Sequence, residues 1–212
     1  MERIGNVITI EGGLKKRESV MCEGDWSHAA VFACMGALGG EITMTGLNQD
    51  SLQGDKAILS YLKEIGVNVT VEKDFVSISK NKLIAADFNI DETPDLAPVL
   101  CAVLGLCKGR STVCGISRLR IKESDRAQAI CSMLKALGAG VELTEDKLII
   151  DGVESYKGGS ISTFNDHRIA MMAAVASCGC DGIIEIDDGS CVNKSAPLFW
   201  SEFAALGGKT EE

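Results

Sequence analysis

Charge gathers at three places in this chain, each just ahead of a run that reads as a helix. Residues 117–129, SRLRIKESDRAQA, crowd Arg118, Arg120, Lys122 and Arg126 around Glu123 and Asp125; residues 165–168 are NDHR, and residues 193–197 are NKSAP. These side chains offer two kinds of chemistry. A guanidinium grips a carboxylate or phosphate through paired N–H bonds, which a lysine can do only as a point charge. A carboxylate set beside cations is a candidate proton acceptor or donor. A helix start adds free backbone N–H groups and the positive end of the helix dipole, both attractive to an anion. Any one of these stretches alone reads as a solvated helix start with capping acids. Their recurrence at equivalent junctions is what points to a site.

The junctions are equivalent because the chain repeats. An aspartate opens a small-residue helix three times, in GDWSHAAVFACMGALGG, PDLAPVLCAVLGLCKG and NDHRIAMMAAVASCG, with Asp25, Asp95 and Asp166 spaced 70 and 71 residues apart. Each is followed by a short β-rich stretch (EITMTGL, STVCGI, GIIEI) and a second helix (DSLQGDKAILSYLKEIG, SDRAQAICSMLKALG, SAPLFWSEFAALG). Two units then finish in alternating runs, VNVTVEKDFVSIS and GVELTEDKLIIDG, each turning at acidic residues as a hairpin would. The third unit stops after its second helix, and NVITIEGG near the start could supply one of the strands it lacks. Asp25, Asp95, Asp166 and Ser124 stand at N-cap positions and Gly66, Gly138 and Gly207 at C-cap positions.

Repeats of this length exceed the roughly 20–50 residues of common solenoids, so a closed lobe is expected. LAPVLCAVLGLC and AMMAAVAS are apolar almost all round, which places those helices inside. The alternating hairpins suit half-solvated sheets outside. The reading is therefore α/β: an inside-out lobe of repeated βαβαββ units with pseudo-threefold symmetry, helices buried and sheets outside. Residues 1–18 form a leading segment and 19–212 one lobe, in units of about 19–82, 83–153 and 154–212.

Composition narrows the ligand. A net charge of −9 and a pI near 4.8 exclude a broad basic face for nucleic acid, so an anionic ligand must find a local basic pocket. No apolar run is long enough to span a membrane, and MERIGNVITIEGG lacks the basic start and apolar core of a secretory signal, so a cytoplasmic location is expected. Nine cysteines without a CxxC pair read as reduced, mostly buried thiols, with a zinc site as the minor alternative.

LRIKESDR, FNDHRIAMM, SLQGD, TPDLAP and NKSAPLFW, in their order and spacing, resemble the 5-enolpyruvylshikimate-3-phosphate synthases, the 3-phosphoshikimate 1-carboxyvinyltransferases. The resemblance covers essentially the whole chain, yet the family's enzymes are about twice as long and two-lobed, so it implies the C-terminal lobe, with a complementary N-terminal lobe as partner. It implies transfer of the enolpyruvyl group of phosphoenolpyruvate to the 5-hydroxyl of 3-phosphoshikimate, with no metal and no organic cofactor. Asp95 is then the carboxylate near the attacking hydroxyl, Lys122 lies beside the same oxygen, and Glu123 is the proton donor. Arg126 and Arg168 hold phosphoenolpyruvate, His167 supports Arg168, and Lys194 lies near the leaving phosphate. Arg118 departs from the family's pattern and carries over no contact. Much of the substrate site belongs to the absent lobe, so the chain alone is expected to turn over negligibly. The alternatives are a half resembling UDP-N-acetylglucosamine enolpyruvyltransferase and a non-catalytic module binding an anion or a partner.

Overall fold

The structure, a computed structural model, describes residues 2–13, 19 and 21–211. The chain opens with a small antiparallel hairpin of β1 (Glu2–Ile4) and β2 (Val7–Thr9). Next come α1 (Trp26–Gly39), β3 (Glu41–Thr45), α2 (Ile58–Glu64), β4 (Asn68–Val71) and β5 (Phe75–Ser79), whose strands lie in the order β3-β5-β4. The second stretch holds β6 (Phe88–Asn89), α3 (Ala97–Leu104), β7 (Arg110–Cys114), α4 (Arg126–Ala136), β8 (Gly140–Leu143) and β9 (Lys147–Asp151), with the order β6-β7-β9-β8. The third holds β10 (Gly159–Ile161), α5 (His167–Ser177), β11 (Ile184–Ile186) and α6 (Phe199–Ala205).

The repeat is visible in the pairing. β7-β9-β8 reproduces the antiparallel order of β3-β5-β4, and the parallel pair β10-β11 reproduces the parallel pair β6-β7. α1, α3 and α5 pack against one another at the centre. Every residue of α3 is buried, as expected for a helix with no polar face. α1 reaches its own sheet through Gly36, where a Cβ would meet Ile78 O at 3.0 Å and the Ile42 Cβ at 3.2 Å. The strands β5, β7 and β9 alternate buried and less buried residues, so each sheet turns one face to the helices and one to solvent.

The second helices end alike. Gly66, Gly138 and Gly207 take φ values of +91°, +94° and +98° just past α2, α4 and α6. There they close the paired carbonyl bonds of a left-handed C-terminal motif, for example Gly66 N–H to Lys63 O and Val67 N–H to Leu62 O, both at 3.0 Å.

The structure corrects several expectations. NVITIEGG does not complete the third sheet: Val7–Thr9 pairs with Glu2–Ile4, because the tight turn between them offers a nearer partner. Residues 21–25 form no strand ahead of α1, and the contact corresponding to β6-β7 is reduced to Gly24 N–H on Gly46 O at 3.2 Å. Ser124 is not the cap of α4; Asp125 takes that place and accepts from Gln128 N–H at 3.1 Å. Asp95 lies inside the 3-10 turn Pro94–Leu96 and makes no capping bond, whereas Asp25 and Asp166 cap α1 and α5. Of the nine cysteines, Cys34, Cys101, Cys107, Cys131 and Cys191 are buried thiols, and burial pushes Cys101 and Cys107 up to about 12. Among the described residues no helix is long and apolar enough to cross a membrane.

Candidate active site

The first turns of the helices bring the charged junctions together around one guanidinium. Arg126, the first residue of α4, has a side chain only 1% exposed. Its Nε donates to Asp166 Oδ2 at 2.7 Å, Nη1 to Asp95 Oδ1 at 2.8 Å, and Nη2 to Asp166 Oδ1 at 3.2 Å and to Glu123 Oε2. Four of an arginine's five N–H groups are thus spent on carboxylates, and one on Nη1 remains. Burial by itself would lower the Arg126 pKa, but Asp166, Glu123 and Asp95 raise it above its usual value.

Asp95 is the meeting point of the cations. Lys122 Nζ lies 2.9 Å from its Oδ1, and Arg168 Nη2 lies 3.9 Å from its Oδ2. Burial pushes the Asp95 pKa up, yet the Lys122 hydrogen bond and the charges of Arg168, Lys122 and Arg126 prevail and hold it below the usual carboxylate value. Asp95 is therefore an anion at neutral pH and a hydrogen-bond acceptor for whatever enters. Glu123 Oε1 sits 4.0 Å from Lys194 Nζ, which links the third junction to the other two.

The sequence-predicted residues Asp95, Lys122, Glu123, Arg126, Arg168 and Lys194 thus form one connected network, although they come from two different repeats. His167 adjoins it. Its Nδ1 is buried and has no hydrogen-bond partner among the described residues, 3.9 Å from Asp166 Oδ1, and burial together with the charge of Arg168 depresses its pKa, so the ring is neutral at pH 7. Among the described residues Arg168 Nε is likewise a buried donor with no partner. A hollow of about 350 Å³ opens beside the network, lined by Asp95 and Lys122 together with Ser27, Asp55 and Arg118.

Other charged groups are accounted for elsewhere. Arg118 Nη1 donates to Asp91 O at 2.8 Å, and Arg120 Nη2 donates to Thr144 O at 2.9 Å. His28 binds Glu202 Oε2 at 2.8 Å and packs edge-on against Phe32, tying α1 to α6. Sequence reasoning missed the weight carried by Asp166. It caps α5 through Arg168 N–H at 2.9 Å, and it also accepts from Ser124 Oγ at 2.9 Å and takes two bonds from Arg126. Its place ahead of a helix suggests only the cap. The second role depends on α4 lying alongside.

Comparison with known proteins gives this network a family. The family model described as EPSP synthase (3-phosphoshikimate 1-carboxyvinyltransferase) matches residues 2–203. A 3-phosphoshikimate 1-carboxyvinyltransferase of Brachyspira hyodysenteriae is 46% identical over 189 residues, covering 88% of this chain and 45% of the relative. One from Clostridium acetobutylicum is 42% identical over 204 residues, covering 96% of this chain and 47% of the relative. A solved EPSP synthase from Acinetobacter baumannii superposes with a TM-score of 0.79 at 29% identity, over 89% of this chain and 46% of that one. The chain spans about half the length of the relatives it matches. With its sequence matched almost end to end and its helix-centred lobe shared with solved members, the chain belongs to the EPSP synthase (3-phosphoshikimate 1-carboxyvinyltransferase) family.

Proposed function

We propose that this chain forms the C-terminal part of the active site of an enolpyruvyl transferase that joins phosphoenolpyruvate to the 5-hydroxyl of 3-phosphoshikimate and releases phosphate. Residues 19–212 act as one lobe and residues 1–18 as its leading segment, and the rest of the cleft comes from a complementary N-terminal lobe. The observation that carries this reading is the single network of Asp95, Lys122, Glu123, Arg126, Arg168 and Lys194 at the helix starts.

The reaction needs a proton taken from the attacking hydroxyl, a proton delivered to the methylene carbon, and cations for the carboxylate and phosphate. Asp95, anionic and half-buried, accepts the hydroxyl proton as that oxygen bonds to C2 of phosphoenolpyruvate. Lys122, 2.9 Å away, keeps the oxygen and the carboxylate in register. Glu123 gives a proton to C3, producing a tetrahedral adduct. Loss of phosphate then breaks the C2–O bond to the phosphate while Glu123 takes back a proton from C3, restoring the double bond, and the departing phosphate carries away the proton that Asp95 accepted. Arg168, with an uncommitted Nε, is the principal fork for phosphoenolpyruvate, and Lys194 screens the departing phosphate. Arg126 adds its one remaining N–H and bridges Asp95 and Glu123. Neutral His167 supports Arg168 without adding repulsion.

The test is phosphate release from phosphoenolpyruvate and 3-phosphoshikimate, with the chain alone and after addition of the N-terminal half of the Brachyspira hyodysenteriae relative. Release only in the mixture is expected. No release from a mixture whose halves associate and are folded would overturn the reading.

A further inference from the structure

The third repeat reaches its charged junction through a strained turn. Asp166 N–H donates to Thr163 O at 2.9 Å, closing a four-residue turn whose central residues, Phe164 and Asn165, both have φ of +54°. Among the described residues these are the only ones other than glycine in the left-handed region. Asparagine tolerates that region, but a bulky side chain such as phenylalanine rarely enters it. Phe164 is 50% exposed, so its ring gains little from packing there. The corresponding turn of the second repeat is unstrained: Thr93 N–H closes on Ile90 O at 2.9 Å, and no residue between them has a positive φ. Asn89 braces that turn locally by accepting Asp91 N–H at 3.0 Å.

The brace of the third turn comes from the neighbouring strand. Asp187 directly follows β11, and its Oδ2 accepts from Ser162 Oγ at 2.6 Å while its Oδ1 accepts from both Thr163 N–H and Thr163 Oγ1 at 2.8 Å. Its own N–H donates to Ile161 O at 3.2 Å. The Ser162 and Thr163 bonds hold the Asp187 pKa below the usual carboxylate value, so the clamp is an anion at neutral pH. Ile161 pairs with Ile186 as Asn89 pairs with Cys114, which puts Gly115 at the place of Asp187 in the second repeat, with no side chain to clamp anything.

Directly after the clamped turn come Asp166, which caps α5 and takes two bonds from Arg126, and then Arg168. Where the turn sits therefore decides where the Arg168 guanidinium points. On its other side Asp187 runs through Asp188, which accepts from Ser190 N–H at 2.8 Å, into the 3-10 turn Ser190–Lys194. One carboxylate thus ties together the segments that carry Arg168 and Lys194.

We infer that Asp187 is a positioning residue of this site: by clamping Ser162 and Thr163 it holds Phe164 and Asn165 left-handed and so aims Arg168 at the phosphoenolpyruvate anion. The inference rests on the function proposed above, in which Arg168 is the fork for that substrate. Among the described residues the side-chain hydrogen bonds of Asp187 all go to Ser162 and Thr163, so it acts through the turn and touches no reacting group.

The experiment uses the chain combined with the N-terminal half of the Brachyspira hyodysenteriae relative, with KM for each substrate and kcat taken from phosphate release and the fold followed by circular dichroism. Asp187→Ala is expected to raise KM for phosphoenolpyruvate roughly tenfold, the low end of what a lost hydrogen bond to a charged group costs, because Arg168 is misaimed and not removed. KM for 3-phosphoshikimate and kcat should stay within about threefold. Asp187→Asn keeps an acceptor oxygen for Thr163 and should give a smaller rise. Joining Phe164→Asn and Asn165→Gly to Asp187→Ala supplies the Asn-Gly pair that by itself favours a turn with both central residues left-handed. That combination should return KM for phosphoenolpyruvate to the unsubstituted value. If Asp187→Ala leaves this KM unchanged, or raises it and the Asn-Gly pair does not lower it, the inference is overturned while the proposed function stands. Should Asp187→Ala not fold, Asp187→Asn with and without the pair decides by the same two criteria. No turnover by unsubstituted halves that are folded and associated overturns the proposed function and this inference with it.

Discussion

Replacing Asp166 with alanine should damage stability more than any other single change at the site. The Asp166 side chain is 0% exposed and holds four donors: Arg126 Nε and Nη2, Ser124 Oγ and Arg168 N–H. Alanine leaves a buried guanidinium with two unsatisfied N–H groups and takes the cap from α5. Breaking a buried ion pair from one side costs about 3–5 kcal/mol. Loss of an N-cap alone accounts for about 1 kcal/mol of such a change. Asp95 and Glu123 still hold the far end of Arg126, which sets the expectation near the lower end, at about 3–4 kcal/mol. For a chain of this size each kcal/mol moves the melting temperature by roughly 2–4 °C, so a fall of about 6–16 °C is expected by circular dichroism. Asp166→Asn retains a good capping group and should fall between the two. Joining Asp166→Leu to Arg126→Met removes both charges and should recover part of the loss. A melt of Asp166→Ala within about 2 °C of the unsubstituted chain would refute the claim that this pair holds α4 and α5 together.

In the complemented enzyme, Asp95→Asn should keep phosphoenolpyruvate binding while turnover drops by about 10²–10⁴, and unchanged turnover in a phosphate-release assay removes Asp95 from proton transfer. Arg168→Ala should weaken phosphoenolpyruvate roughly ten- to a hundredfold by titration calorimetry; an unaltered affinity means its guanidinium serves only Asp95. Acid should unfold the chain through the same network. The folded-state pKa values of Asp166 and Asp95 are depressed because their cationic partners outweigh burial. The unfolded chain therefore binds more protons below its carboxylate value of about 3.9; the stabilisation is complete above that pH and is lost as pH falls through the lower folded values. Urea midpoints followed from pH 7 to pH 2 should drop steeply in that window, and Asp166→Asn should flatten the fall.

Much of the architecture is written in local pattern. The spacing of Asp25, Asp95 and Asp166 marks three helix starts, and the all-round apolar runs of α1, α3 and α5 leave those helices nowhere to go but the centre. Gly66, Gly138 and Gly207 end the second helices because a residue without Cβ enters the left-handed region at little cost. Such features depend on neighbours three or four residues away, and a sequence displays those directly. The resemblance carried by KESDR and NDHR likewise marked residues that share one network.

Which atoms meet was decided only by the packing of the helices. Asp166 is a cap by local rules, and it becomes the anchor of Arg126 because α4 and α5 lie side by side. Arg126 reads as an open fork in the sequence, yet its contacts with residues 31 and 40 positions away leave it a single uncommitted N–H. Ser124 and Asp125 are equally good caps on paper; a buried Asp166 within reach of Ser124 settles which one performs it. Asp55 meets Ser27 for the same reason, across 28 residues. A charged side chain takes the partner that best repays its desolvation, and once the helix starts converge that partner comes from a distant part of the chain.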